Sequence, residues 1–348
     1  MCYLRRLQLT ALALALISPL GAQQGDRKGH NMTSFVPEDV IPPAPFLNVE
    51  QALKSFQLAP GFVIEEVASE PFVDMPCMLK FDGDGQMWIC ELVGYMPDVD
   101  GTGEDIPQGR IVVLTDSNDD GKIDKRTVFL EKLLLPRSIY LLDDGILWAN
   151  QESLFFQGRN GSKPVGKRVV VDKDYARGGN VEHKANSLVL GLDNWIYNAK
   201  SDRRYKNVNG KWVMERTPFR GQWGIDRDDY GRLFHNSNST LLVGDFTFPN
   251  AVYGNTNSKM KAGISARISS NRVWPIRVTP GVNRGYQRNT VSPENYKLIN
   301  ATGASGLTIF RSYGLGKALY GTAFITEATG HLVKAISYQD GDGKLIGE

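Results

Sequence analysis

Four segments of this chain repeat one pattern, and a fifth follows it more loosely. Each is an apolar strand, a turn rich in Asp and Gly, and a second strand with an aromatic residue near its middle. The copies are "CMLKFDGDGQMWICE", "SIYLLDDGILWANQ", "SLVLGLDNWIYNAK" and "WGIDRDDYGRLFHNSNS", with "GLTIFRSYGLGKALYGTAFITEA" as the looser fifth. The equivalent aromatics are Trp88, Trp148, Tyr197, Phe234 and Phe324, separated by 60, 49, 37 and 90 residues. Degenerate units of a few strands, repeated every 40–50 residues or so, mark a β-propeller. A β-sandwich does not repeat one hairpin at such intervals. The pattern predicts an all-β propeller of five or six blades over residues 49–348, and the long last interval leaves room for a further unit or an insertion. Thirty-six glycines and seventeen prolines agree with a chain of many turns.

The residues before the repeats read differently. "MCYLRRLQLTALALALISPLGA" has two arginines, an apolar run and a small-residue end, which is the make-up of a secretory signal over residues 1–22. It predicts export to the periplasm or beyond, and no later run is apolar enough to span a membrane. Residues 23–48 read as an extended proline-rich leader, "NVEQALKSF" (48–56) as a short helix, and "PGFVIEEVASEP" (60–71) as the strand that closes the ring in the last blade. The chain ends just after a strand and a turn, as an N-terminal piece of a longer protein would. A net charge of only +2 gives no reason to expect nucleic acid or an anionic membrane as partner.

Without the signal, two cysteines remain. If "DGDG" (82–85) makes a tight turn, Phe81 faces Gln86 and Cys77 faces Cys90, which predicts a cross-strand disulfide in an oxidising compartment. No Cys-x-x-Cys-His occurs, so the chain encodes no covalently attached haem. "DSNDDGKID" spaces Asp116, Asn118, Asp120 and Asp124 as the first ligands of a calcium loop, with Gly121 at the sharp turn. The acidic residue usual at the twelfth position is replaced by Thr127.

Polar residues at the ends of inner strands converge on a propeller's axis. Arg137, Glu182, His183, Asp202, Arg203, Arg204 and Arg220 occupy such positions, and "WPIRVTPGVNRGYQ" adds Arg277 and Arg284. One histidine, two carboxylates and several arginines suit a site that holds a polyanionic small molecule and abstracts a proton. Each residue taken alone is more often a solvated loop residue; their shared place in the repeat is the argument.

"EHKANSLVLGLDNWIY", followed by Asp202 nineteen residues after His183, resembles the soluble glucose/sorbosone dehydrogenase family of propeller quinoproteins. The resemblance implies pyrroloquinoline quinone as cofactor, His183 as the base for a sugar or alcohol hydroxyl, Asp202 orienting it, and Glu182 as its acidic neighbour. It also implies Arg220 as a quinone contact, although Gly221 and Gln222 replace the Asn and Pro that follow in the family. The remaining arginines would hold the cofactor's carboxylates, and electrons would leave to a separate acceptor such as a cytochrome c. "RGQWGIDRDDYGRLFHNSNS" and "YGTAFITEATGHLVK" are similar to a branch found in large secreted proteins of planctomycetes and verrucomicrobia, labelled membrane-bound dehydrogenases. The alternative to the enzyme is a carbohydrate-binding or assembly propeller that has lost the cofactor, or a hydrolase or lyase using His183 and Glu182 alone.

Overall fold

The computed structural model describes residues 36–348, apart from 99, 252, 254, 256, 258–262, 280–289 and 342–343. Trp88, Trp148, Tyr197, Phe234 and Phe324 each stand in the second strand of a separate antiparallel sheet. The first sheet is β1 (Pro76–Phe81), β2 (Met87–Glu91), β3 (Gly109–Thr115) and β4 (Lys125–Leu133). The second is β5 (Ser138–Leu141), β6 (Gly145–Ala149), β7 (Leu154–Asn160) and β8 (Lys163–Asp172). The third comprises β9 (Asn186–Leu190), β10 (Ile196–Ala199), β11 (Ser201–Val208) and β12 (Lys211–Arg220). In the fourth are β13 (Ile225–Arg227), β14 (Leu233–Ser237), β15 (Thr240–Gly244) and β16 (Ala266–Arg267). Three strands make the fifth, β17 (Ala304–Ile309), β18 (Ala323–Glu327) and β19 (Leu332–Ile336), and a hairpin of β20 (Tyr338–Gly341) and β21 (Lys344–Gly347) follows. Within each sheet the strands lie in chain order, and each first strand neighbours the next sheet's first strand from β1 through β17. This is a five-bladed β-propeller.

The second strands are the apolar heart of the blades because they face a neighbour on both sides. Every residue of β2, β6 and β10 is buried. Trp88 and Trp148 share one core with Ile111, Phe129 and Phe155, so the first two blades are glued through their central strands. Truncating either indole there costs about 3–5 kcal/mol. An aspartate in the turn fixes the ring in two blades. Asp82 accepts the Trp88 Nε1–H at 2.9 Å, and Asp193 accepts the Tyr197 hydroxyl at 2.7 Å. The turn chemistry and the aromatic are one device.

The helix expected at 48–56 is present as α1 (Val49–Ser55), opened by a reciprocal cap between Asn48 and Gln51. The long interval before Phe324 is an insertion. Residues 268–303 contribute only isolated bridges, Arg272 to Asn300 and Val291 to Leu298, among the described residues. Their Val273 and Leu298 pack with Phe234 and Ile309 into the core shared by the last two blades.

Two expectations are corrected. Residues 60–71 do not join the fifth sheet. The Val67 carbonyl accepts Ile123 N–H at 2.9 Å, and Ala68, Phe72 and Val73 pack against the β2–β3 core of the first blade. The thiols are also unpaired. The 82–86 loop is one residue longer than a tight DGDG turn, so Phe81 pairs with Met87 and Met78 with Cys90. A bulge between Pro76 and Met78 leaves Cys77 outside the ladder, with its thiol donating to the Pro136 carbonyl at 3.4 Å.

Candidate functional site

The first strands of the blades surround a central cavity of about 850 Å³. Since these strands run the same way in a propeller, the residues just before them gather at one rim. Arg137, Glu182, Asn186, Trp223 and Thr302 line the cavity there, with Cys77 from the start of β1. Deeper in the cavity, Lys80 and Asp226 line the wall. Asp226 is already committed to joining blades, since its Oδ2 accepts Ile309 N–H at 2.8 Å and Thr308 Oγ1–H at 3.1 Å.

His183 sits directly behind this rim. Its ring packs on Trp223 with centroids 5.5 Å apart, and its Nε2 lies 3.9 Å from the Glu182 carboxylate, too far for a direct hydrogen bond. That nitrogen is buried without a hydrogen-bond partner. Burial lowers the His183 pKa, with Glu182 opposing and Lys200 assisting, so the imidazole is held neutral. Unpaired buried polar atoms recur at this rim: Nε and Nη2 of Arg137, Oγ1 of Thr302 and Nε2 of His183. Each leaves a desolvation cost unrecovered by protein partners.

The structure separates residues that the sequence reading grouped. Asp202 lines a side cavity of about 250 Å³ together with His183, yet its carboxylate is held by Arg216 at 2.5 Å. Asp202 lies on β11, the third strand of its blade, whereas Glu182 and His183 precede the first. Arg203 pairs with Asp172 at 2.5 Å, and Arg204 with Asp193 at 3.1 Å and Glu215 at 2.7 Å. Arg220 is wholly buried against Asp245 at 2.8 Å and donates to Thr217 and to the Pro218 carbonyl. Arg277 reaches the Pro43 carbonyl at 3.4 Å, and Arg284 lies outside the described residues. Of the described arginines in the set, Arg137 alone lines the central cavity. It donates Nη1–H to the Val181 carbonyl at 2.7 Å.

Gly221, where the resembling family has Asn, adopts a φ of +67°, and a Cβ there would stand 3.2 Å from that of His235 and 3.3 Å from that of Ala199. The glycine follows from the tight crossing of β12 into the next blade.

The 116–124 loop turns its side chains on itself. Asp116 accepts the backbone N–H groups of Asp120 at 3.2 Å and Gly121 at 2.7 Å. Asp120 accepts Lys122 N–H at 2.9 Å and the Asn118 side-chain amide at 3.2 Å, and Asp124 accepts Ser117 Oγ–H at 2.6 Å. Among the described residues no group of three or more His, Cys, Asp or Glu is placed to hold a metal ion.

What sequence reasoning missed at the rim is Trp223, Asn186 and Thr302. Each precedes or opens a first strand, so the position of the repeat, applied one residue at a time, would have marked them.

Several solved structures are distantly similar to this chain. The PQQ domain of pyranose dehydrogenase from Coprinopsis cinerea is 11% identical with a TM-score of 0.44, over 84% of this chain and 81% of that one. A Trichoderma reesei protein of carbohydrate-active enzyme family AA12 is 11% identical with a TM-score of 0.41, over 77% and 93%. Regucalcin from Agrobacterium tumefaciens, a calcium-binding protein, is 17% identical with a TM-score of 0.32, and this chain spans about half of its length, 52%. No curated protein sequence matches. A family model does match, over residues 48–346 and hence the whole propeller, and the chain belongs to that family, the domain of unknown function DUF7133.

Proposed function

We propose that the protein binds a polyhydroxylated small molecule, such as a sugar or alditol, in the central cavity and withdraws a hydroxyl proton from it through the Glu182–His183 pair. The observation that carries this is the buried, unpartnered Nε2 of His183, behind the cavity rim and 3.9 Å from the carboxylate of Glu182, which lines the cavity itself. In the tautomer with its hydrogen on Nδ1, Nε2 offers a lone pair, and the imidazolium formed on accepting a proton is stabilised by Glu182. Trp223 supplies an aromatic face, and Asn186 and Thr302 supply polar groups for hydroxyls. The basic, then apolar N-terminus supports action outside the cytoplasm.

Pyrroloquinoline quinone carries several carboxylates. The described wall of the cavity offers Arg137 and Lys80 as cations, against Glu182 and Asp226. That donor set does not fit the cofactor, and no step is routed through it. Calcium at the 116–124 loop has no part in this reading either.

The test is a panel of sugars, alditols and aldonolactones, assayed for binding by calorimetry and for turnover, including dye-linked oxidation with and without added quinone. Turnover of one member, lowered roughly a hundredfold or more by His183→Ala and strongly by Glu182→Gln, is the expected result. Full activity in His183→Ala sinks the reading. Saturable binding without turnover would favour a carbohydrate-binding propeller, for which the commitment of Arg203, Arg204 and Arg220 to structural pairs speaks.

A further inference from the structure

Among the described residues Arg137 is a cation without an ion-paired carboxylate. It is 8% exposed, it lines the central cavity, and no carboxylate among the described residues lies within ion-pair distance of it. Arg203, Arg204 and Arg220, by contrast, each hold an aspartate. The way its nitrogens are used matters more than the charge. Nη1 is spent on the Val181 carbonyl, while Nε and Nη2 have no hydrogen-bond partner. Those two lie on one edge of the planar guanidinium and point their hydrogens in parallel, the arrangement that grips both oxygens of a carboxylate.

We propose that the unpaired Nε–Nη2 edge of Arg137 binds a carboxylate of the ligand, so that the molecule held in the central cavity is a polyhydroxy acid rather than a neutral sugar. The proposal rests on the reading of the cavity as a polyol site and narrows its substrate class. A monocarboxylate suits the rim better than a phosphate dianion, because Glu182 faces the same space and repels a second negative charge. The two nitrogens are closed to bulk water, so binding requires the Arg137 side chain to turn this edge toward the cavity it lines. In exchange it pairs a buried edge whose unmade bonds otherwise cost stability. The acid anchored at Arg137 then presents its chain of hydroxyls along a rim that also carries Glu182 and Trp223. Arg137 is thus a specificity-determining residue, and His183 remains the base.

D-Gluconate and sorbitol form a matched pair for the test, since they differ in whether the first carbon is a carboxylate or an alcohol. Glucose 6-phosphate is the phosphate arm. Calorimetric titration of the full chain should find gluconate bound roughly ten- to a hundredfold more tightly than sorbitol, the range expected for charge-assisted hydrogen bonds. Arg137→Gln should abolish that preference, bringing gluconate affinity down to that of sorbitol, while Arg137→Lys, which keeps the charge but loses the fork, should retain only part of it. The preference should persist in His183→Ala, which separates anchoring from catalysis. Equal binding of gluconate and sorbitol overturns the inference and leaves the polyol site standing. A preference that survives Arg137→Gln also overturns it, as does tighter binding of glucose 6-phosphate than of gluconate. Failure of all three probes to bind overturns the polyol reading, and the inference with it.

Discussion

His235 shows how a single buried side chain ties stability to pH in this molecule. It lies in β14, almost wholly buried, with Nε2 3.2 Å from Ser265 Oγ. Burial, helped by the charge of Arg220, pushes its pKa down to about 3 from an ordinary 6.5. Between these values the unfolded chain takes up a proton that the folded chain refuses, so stability falls as pH drops below about 6.5. The slope due to this one group approaches about 1.4 kcal/mol per pH unit at its steepest. Urea midpoints at pH 7, 5 and 4 should decline steeply in the native protein and less so in His235→Gln. Parallel declines would show that other groups govern the acid limit. His183 is also held neutral by its surroundings, but it lies directly behind the cavity rim next to Glu182, whereas His235 is closed in between Ile225 of β13, Val243 of β15 and Ser265. Two histidines of the same chemistry are thus separated into candidate base and structural core by position alone.

At the scale of elements, the buried pair of Arg220 and Asp245 pins the end of β12 to the end of β15. Both side chains are 1% exposed, so removing one partner strands the other charge. Asp245→Ala or Arg220→Ala should lower stability by about 3–5 kcal/mol, seen as a large fall in the denaturation midpoint. Loss of ligand binding with an unchanged midpoint would instead return Arg220 to the binding site. The same pair shows what the sequence could and could not reveal. The five hairpins, their aromatics and the helix at 49–55 were legible because each is set by local chemistry: alternation, turn aspartates, a capping Asn. The partners of the arginines were not, because Asp172, Asp193 and Asp245 meet them across strands, and one-dimensional spacing does not say which carboxylate lies nearest. The pairing of Cys77 failed for a similar reason. One extra residue in the 82–86 loop and one bulge shift the register, and a register shift by one moves a side chain to the other face. Glu182 and His183 lie at and behind the rim because they precede an inner strand, while Asp202, nineteen residues on, falls on the third strand of the blade.

For the whole molecule, the residues that open the first strands, each with a modest local signal, together form the rim of one cavity, and this is where unpaired polar atoms of Arg137, His183 and Thr302 collect. The seam between the last blade and the first has a different character. The stretch at 60–71 lies on the first blade, and among the described residues it lends no strand to β19. Adjacent blades elsewhere are linked by covalent connection and by shared cores, whereas among the described residues no strand pairing joins the fifth sheet to the first. Such a circle has a preferred place to part. Opening should begin there, so that amides of β1 and β19 exchange with solvent hydrogen sooner than those of β6 and β10, which are buried between blades. Uniform exchange across all five sheets would mean that side-chain packing alone closes the circle as firmly as a shared strand does. Because β1 and β17 also wall the central cavity, a seam that parts easily would serve as a side door, and a ligand gripped on both walls would act as the missing fastener, raising protection at β1 more than anywhere else.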